Sequence, residues 1–400
     1  MKWLWIALLL AVGCARPTDP RIQLTYQTIE TLPEQQALHR KIVDEFERLH
    51  PAVHINVVYD TSKFQKLNVQ LAGNAGPDMF YCVVDRLPSL ALRGQLLDLT
   101  ADFAPLSELF YAEVFEACRV DGRIAMAPFH FSTDVLFYNR DWFSAADESP
   151  PDDSWGWQRF ADVAARLVSS RKQGGHATTR MATALPRPLL LIQSFGGVLF
   201  ADDHCAVNSP ETMSALQFYR DLVARGIAPT AVSMGELEAF DGVNLFHDAR
   251  IPLLIGRAYM LTEFDRITDF HWAVAPVPKG KVRWSRLSVG GNCVWRGTKH
   301  PQEAREFVRF YSTEGAKLAA KTRNAIPALR AAAESATFPP AMVAALSYSH
   351  LDNPWGYAFW DEFNQKAFLE TTDAVALGRM TPAAAAESIE KLGERLLPAR

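Results

Sequence analysis

Leu71 to Arg86, "LAGNAGPDMFYCVVDR", decides how the chain is read. Gly73, Gly76 and Pro77 stand before an apolar run, Met79 to Val84, that ends abruptly on Asp85 and Arg86. A short run rich in aromatic and β-branched residues and bounded by turn formers predicts a buried strand rather than a helix. Its end delivers an acid and a base to one place.

Upstream, Ile22 to Tyr26 alternates weakly as a first strand, and Leu38, Ile42, Phe46 and Leu49 mark one face of a helix. Pro51 stops that helix, Val53, Ile55 and Val57 alternate as a second strand, and a further helix is expected around Phe64 to Leu71. Downstream, Leu87, Leu90 and Ala91 share the apolar side of another helix. Strand, helix, strand, helix, strand implies parallel strands joined by crossover helices, an open α/β sheet. Ligands of such sheets sit beyond the carboxyl ends of the strands, where Asp85 and Arg86 stand.

The pattern restarts after Pro128. "TDVLFYNRDWF" (133–143) supplies a strand, and "DDSWGWQRFADVAARLV" (152–168) a helix with Ser154 as its cap. "SPETMSALQFYRDLVARG" (209–226) is a helix opened by Ser209 and Pro210 and closed by Gly226. "IPLLIG" (251–256) and "FHWAVAPVP" (270–278) are short strands, and helices dominate thereafter. In "PQEAREFVRFYSTEGAKLAA" (301–320), Pro301 fits the first turn and Phe307, Phe310 and Tyr311 share a face. With 400 residues, 48% hydrophobic and 22% charged, the chain is too long for one ordinary core, so two domains are expected. The absence of a flexible linker favours two lobes joined by several short crossings.

The formal charge of -4 offers no basic stripe for nucleic acid. Lys2 is followed by ten apolar residues, Trp3 to Val12, too few to span a bilayer that needs about 20. That is a signal-peptide core, residues 1–13. "LAVGCARPTDP" (10–20) then resembles the lipobox of bacterial lipoproteins, although Ala11 departs from the preferred Leu. Cys14 would be lipidated, with 14–20 as the tether of an exported body held to the periplasmic or extracellular side of a membrane. Cys82, Cys118, Cys205 and Cys293 lack the spacing of a metal site or disulfide framework; an oxidising compartment permits a bridge such as Cys82 to Cys118.

The order of motifs resembles the bacterial extracellular solute-binding proteins that feed carbohydrate ABC importers. "FERLHPAVHINVVY", "LAGNAGPDMFYCVVDRLPSLALRGQLLDLT", "GRIAMAPFHFSTDVLFYNRDWF", "SWGWQRFADVAARL", "FGGVLFADDHCAVNSPETMSALQFYRDL", "APVPKG", "SVGGNCVW", "HPQEAREFVRFYST" and "NAIPALRAA" all fall in family order. The resemblance implies a two-lobed type II periplasmic-binding-protein fold with three crossings, placed near Pro128, Ala273 to Pro276, and Ala325 to Pro327. Lobe 1 is then 21–128 plus 274–325, and lobe 2 is 129–273 plus 326–400. It also implies a monomer that closes by hinge bending on a saccharide and hands it to permease subunits, with no cofactor and no chemistry of its own.

Sugar clefts combine hydrogen-bonding groups with aromatic rings. The resemblance marks Asp85 and Arg86 as a pair that holds sugar hydroxyls, against the plainer reading of a helix-start acid in a local salt bridge. It also marks Arg257 and Tyr259 in "GRAY" (256–259), with Tyr259 as the stacking ring. In "GGN" (290–292), Asn292 could meet a hydroxyl or simply serve a strand turn. Trp355, Tyr357 and Trp360 in "NPWGYAFW" (353–360) are rings from a region where relatives contribute a stacking Trp. Glu30, after the first strand, and Phe129, His130 and Phe131, past the first crossing, are placed to line the cleft. Trp155 and Trp157 match a helix start and read as packing. Ser169 to Lys172 forms S-x-x-K without the companion motifs of a serine enzyme, and "DDHC" (202–205) occupies a turn rather than a metal site. A non-sugar solute (polyamine, phosphodiester or metal chelate) and an exported carbohydrate-active enzyme on the same fold are the alternative readings.

Overall fold

The computed structural model describes residues 19–62, 64–173, 181–201, 204–230, 242–353, 359–364 and 370–397. The predicted strand forms over Met79–Val83, with Met79 and Phe80 fully buried. Ten strands build the two principal sheets: β1 Ile22–Thr28, β2 Val53–Tyr59, β3 Met79–Val83, β4 Ala127–Thr133, β5 Val135–Asn139, β6 Leu253–Gly256, β7 Trp272–Ala275, β8 Ser285–Val294, β9 Ile326–Pro327 and β10 Ser349–His350. The larger sheet has the order β9-β4-β8-β3-β1-β2, with β10 paired to β8. As expected, β1 runs parallel to both β2 and β3, the helices Pro33–Leu49 and Gln65–Ala72 making the crossovers. The sheet is nevertheless mixed, because β8 is antiparallel to β3 and β4, and β9 to β4.

The smaller sheet is β6-β5-β7, antiparallel throughout. Successive side chains of β5 point to opposite faces. Phe137 meets Phe246, Phe264 and Trp272 on one side, while Tyr138 joins Phe143 and the Trp155, Trp157 and Phe160 cluster on the other. Both faces are therefore covered, which explains an uninterrupted apolar "VLFY". The first apolar cluster continues from the large sheet, through Tyr26, Phe46, Phe80 and Phe307, to the Phe137 face, so the lobes share a packed floor where β4 becomes β5.

The helix Pro210–Ala224 starts as read: the Ser209 hydroxyl accepts from the Thr212 backbone N–H at 3.2 Å, and Gly226 closes it at φ +67. Two local expectations fail. The helix after the tryptophans begins at Trp157, and Ser154 turns its hydroxyl back to Asp152 instead of capping it. Leu38, Ile42 and Phe46 are buried, whereas Leu49 is 49% exposed at the fraying end of its helix. The four cysteines of the described body are buried free thiols, Cys82 and Cys118 included.

The crossings lie elsewhere than expected. β4 stays in the large sheet through Thr133, so the first crossing is Asp134 rather than Pro128. β7 pairs with β5, and Lys279 and Val282 still bond to Trp155 and Ser194 of lobe 2, so the second falls just before Ser285, not at Ala273 to Pro276. β9 pairs with β4, and Met342 and Leu346 pack in the first core, which moves the third from Ala325 to Pro327 down to 351–353. The prolines of "APVP" and "AIPA" mark loop and edge strand rather than lobe exchange. Ser285 ties the crossings together: its Oγ receives the Asp134 N–H at 2.9 Å and donates to the Asp134 carbonyl at 3.0 Å, while its backbone pairs with Ser349.

Candidate ligand cleft at the crossings

At the end of β3 the backbone tightens into a turn, Val84–Arg86, that brings Asp85 to the start of β8. There the Asp85 carboxylate accepts from Arg286. The Arg286 Nε lies 3.1 Å from Asp352 on the third crossing, and Asp352 in turn accepts from Arg187 Nη2 at 2.6 Å. Arg187 immediately precedes the lobe 2 helix Pro188–Ser194. On the first crossing, Asp134 faces Arg257 at 3.7 Å, and that guanidinium lies 5.4 Å from the Tyr259 ring. Charges from both lobes and two crossings thus form one group, of which Asp85, Arg257 and Tyr259 were expected from sequence.

Burial pushes the Asp85 carboxyl above its ordinary value against the pull of Arg286, and burial likewise raises Asp134. Asp352 is buried as deeply, but Arg187 and Arg286 together outweigh that and hold it below the usual range. Arg286 is raised, since Asp352, Asp85 and Asp134 overcome its own desolvation. The network is not closed. Asp85 Oδ1, Asp134 Oδ2, Asp352 Oδ1, Arg187 Nη1 and Arg286 Nε are buried with no hydrogen-bond partner.

Arg86 turns the other way. Its Nη2 donates to Asn68 Oδ1 at 2.5 Å, and its guanidinium covers the Phe64 ring at 4.6 Å. Phe64 holds φ 76, a left-handed conformation uncommon for a bulky residue, just before its helix. The short helix Trp360–Phe363 of lobe 2 lies against the Val84–Arg86 turn.

Glu30, His39, Tyr81, Phe129, His130, Asn324 and Pro327 line a second hollow, a cavity of about 30 Å³ at the carboxyl end of β1. That is room for about one water, so a ligand here requires movement. Its floor depends on Gly290, where a Cβ would lie 2.4 Å from the Tyr81 hydroxyl and 2.5 Å from His130. Burial lowers His39 and His130 to about 4 and raises Glu30. Three larger hollows lie away from the crossings. One, of about 500 Å³, is at the opposite end of β8 around Arg123 and Arg296; a second, of about 600 Å³, lies between Asp102 and Arg305; the third, of about 700 Å³, is in lobe 2 between His204 and Arg395.

Three expected contacts are corrected. Asn292 is fully buried in the large sheet, where its Oδ1 accepts from the Tyr26 hydroxyl at 2.8 Å. Phe131 is fully buried edge-on to Tyr111, on the opposite face of β4 from His130. Trp360 is 2% exposed and packs on Phe363 in the second core, so it is not a free stacking platform. Trp155 and Trp157 are core residues, as read. Trp355, Tyr357 and Cys14 lie outside the described residues. Sequence reading missed Asp134, Arg187, Arg286 and Asp352. Asp134 carried a signal, a lone acid between two apolar strands, and Arg187 another, a base framed by Pro186 and Pro188.

A family model described as bacterial extracellular solute-binding protein matches residues 30–318. An uncharacterized lipoprotein of Streptomyces antibioticus is 27% identical over 329 residues, 76% of this chain and 70% of that protein. An arabinooligosaccharide-binding protein of Bacillus subtilis is 26% identical over 331 residues, 77% of this chain and 75% of that protein. Among solved structures, an ABC substrate-binding protein of Listeria monocytogenes in complex with cycloalternan is similar at TM-score 0.83 and 22% identity, covering 94% of this chain and 98% of that one. Two lobes, three crossings and this match over most of the chain agree: the protein belongs to the bacterial extracellular solute-binding proteins.

Proposed function

We propose that the chain captures a sugar or oligosaccharide between its lobes and delivers it to the permease of an ABC importer, performing no chemistry on it. The observation that carries this reading is the convergence of carboxylates and guanidiniums from both lobes where the crossings meet. Such groups suit ligand hydroxyls, and the Tyr259 ring beside them, with Phe129 in the second hollow, suits the C–H faces of a sugar. The relatives named for arabinooligosaccharides and cycloalternan support the same ligand class. Glu30, Asp85, Phe129, His130, Arg257 and Tyr259 are the residues of the expected set that we assign to the cleft.

A ligand that binds only the folded state stabilises it by RT ln(1 + [L]/Kd), about 2.7 kcal/mol at one hundred times Kd. A thermal-shift panel of arabinotriose, maltose, cycloalternan, spermidine and glycerophosphodiesters is expected to raise the melting temperature only with a saccharide. A shift confined to spermidine or the phosphodiesters refutes the sugar assignment.

The anchor belongs to the same proposal. No helix among the described residues is long and apolar enough to cross a membrane, and a lipoprotein stands among the relatives. With Cys14 lipidated, the body would ride on the outer side of a membrane beside its permease. Cys14→Ser is expected to move the protein from the membrane fraction to the soluble one; unchanged sedimentation with membranes contradicts lipidation at that residue.

A further inference from the structure

We propose that Asp134, Asp352 and Arg187 are specificity-determining residues of the cleft, whose free hydrogen-bonding capacity is matched to the hydroxyls of an uncharged saccharide; this rests on the sugar reading above. Each carboxylate in the network spends one oxygen inside it. Asp85 accepts from Arg286, the Asp352 Oδ2 is shared by Arg187 and Arg286, and Asp134 Oδ1 faces Arg257. The second oxygen of all three, the Arg187 Nη1 and the Arg286 Nε are buried without hydrogen-bond partners. Buried polar groups in folded proteins are nearly always hydrogen-bonded, and a network kept for strength alone would close these positions. Five open positions in one network, at the junction of the crossings, point to a partner that arrives from outside.

The composition of the open set says what that partner is. Three acceptors face two donors, so the missing groups must both donate and accept. A hydroxyl does both, whereas an ammonium only donates. A polyamine would leave the Arg187 Nη1 and the Arg286 Nε unmet and place positive charge beside three guanidiniums. A metal ion is disfavoured too, because no three His, Cys, Asp or Glu among the described residues converge closely enough to hold one. The charges also balance: Asp85, Asp134 and Asp352 stand against Arg187, Arg257 and Arg286. A neutral cluster has nothing to gain from a phosphodiester, and a neutral polyol leaves its balance intact.

Arg187 is the cleanest probe, since its side chain is 32% exposed and the residue precedes a helix rather than sitting inside a core. Isothermal titration of arabinotriose, maltose and cycloalternan is compared for wild type, Arg187→Gln and Asp134→Asn. The expected result is a loss of about tenfold or more in affinity, equivalent to about 1.4 kcal/mol, with a changed rank order among the three sugars. A purely structural role would lower all affinities in proportion or none. Unchanged Kd values and rank order in Arg187→Gln, with a lower ligand-free melting temperature, overturn the assignment and leave the sugar reading standing. A wild type that binds none of the three saccharides overturns both.

Discussion

Replacing Arg286 with methionine is expected to destabilise the fold by about 3–5 kcal/mol, the range for breaking a buried charge pair by removing one partner. Arg286 is the only side chain that touches both Asp85 and Asp352 among the described residues, and its loss leaves the Asp85 carboxylate without its partner and Asp352 with Arg187 alone. Methionine keeps most of the volume, so the effect isolates charge from packing. Lysine should fall between, because one ammonium cannot span two carboxylates as a planar guanidinium does. The deficit should shrink as pH falls toward the raised Asp85 value, where protonation relieves one stranded charge. Urea denaturation of the three proteins at pH 7 and pH 5 measures this. A loss below about 1 kcal/mol at both values would mean that the pairs behave as exposed ones do.

The second large effect is acid sensitivity set by His39. It is 4% exposed, its Nδ1 faces the Tyr311 hydroxyl, and burial lowers it from 6.5 to about 4. Between those values the unfolded chain takes up a proton that the folded chain refuses, so the contribution is intact above pH 6.5 and drains away as pH falls toward 4. Two and a half units correspond to about 3 kcal/mol lost over that window. His130, lowered by the same cause, adds loss of the same sign. Denaturation midpoints of wild type and His39→Gln, taken from pH 7 to 4.5, should converge as the wild type loses what the variant never had. Parallel curves contradict a neutral buried imidazole.

Much of the fold was legible because its signals are local. Alternation in "HPAVHINVVY", the bounded run Met79 to Val84 and the Ser209 cap each act within a few residues, and all three stand in the structure. The crossings were misplaced because proline signals a break in regular structure without saying what lies on either side. Asn292 could be read either as a cleft residue or as a strand-turn Asn, because the glycines before it allow close backbone approach; the partner that approaches is the neighbouring strand, since a Cβ on Gly291 would meet the Ala127 carbonyl oxygen at 2.2 Å. The charge network was beyond sequence reading. Asp85 and Arg286 are 201 residues apart, Arg187 and Asp352 165 apart, and no spacing rule connects them. Trp360 was one of the rings offered for stacking on ligand, yet the helix that carries it turns it toward Phe363 and the second core.

The central claim is that ligand is held where the crossings meet, by both lobes at once. Hydrogen–deuterium exchange with mass spectrometry, with and without a saturating saccharide from the panel, tests it most directly. Slowed exchange is expected together in the Val84–Arg86 turn and its helix, at Arg187 and the helix behind it, and around Arg257 to Met260. Protection confined to one lobe, or centred on the outer hollows at Arg296 or His204, would contradict it.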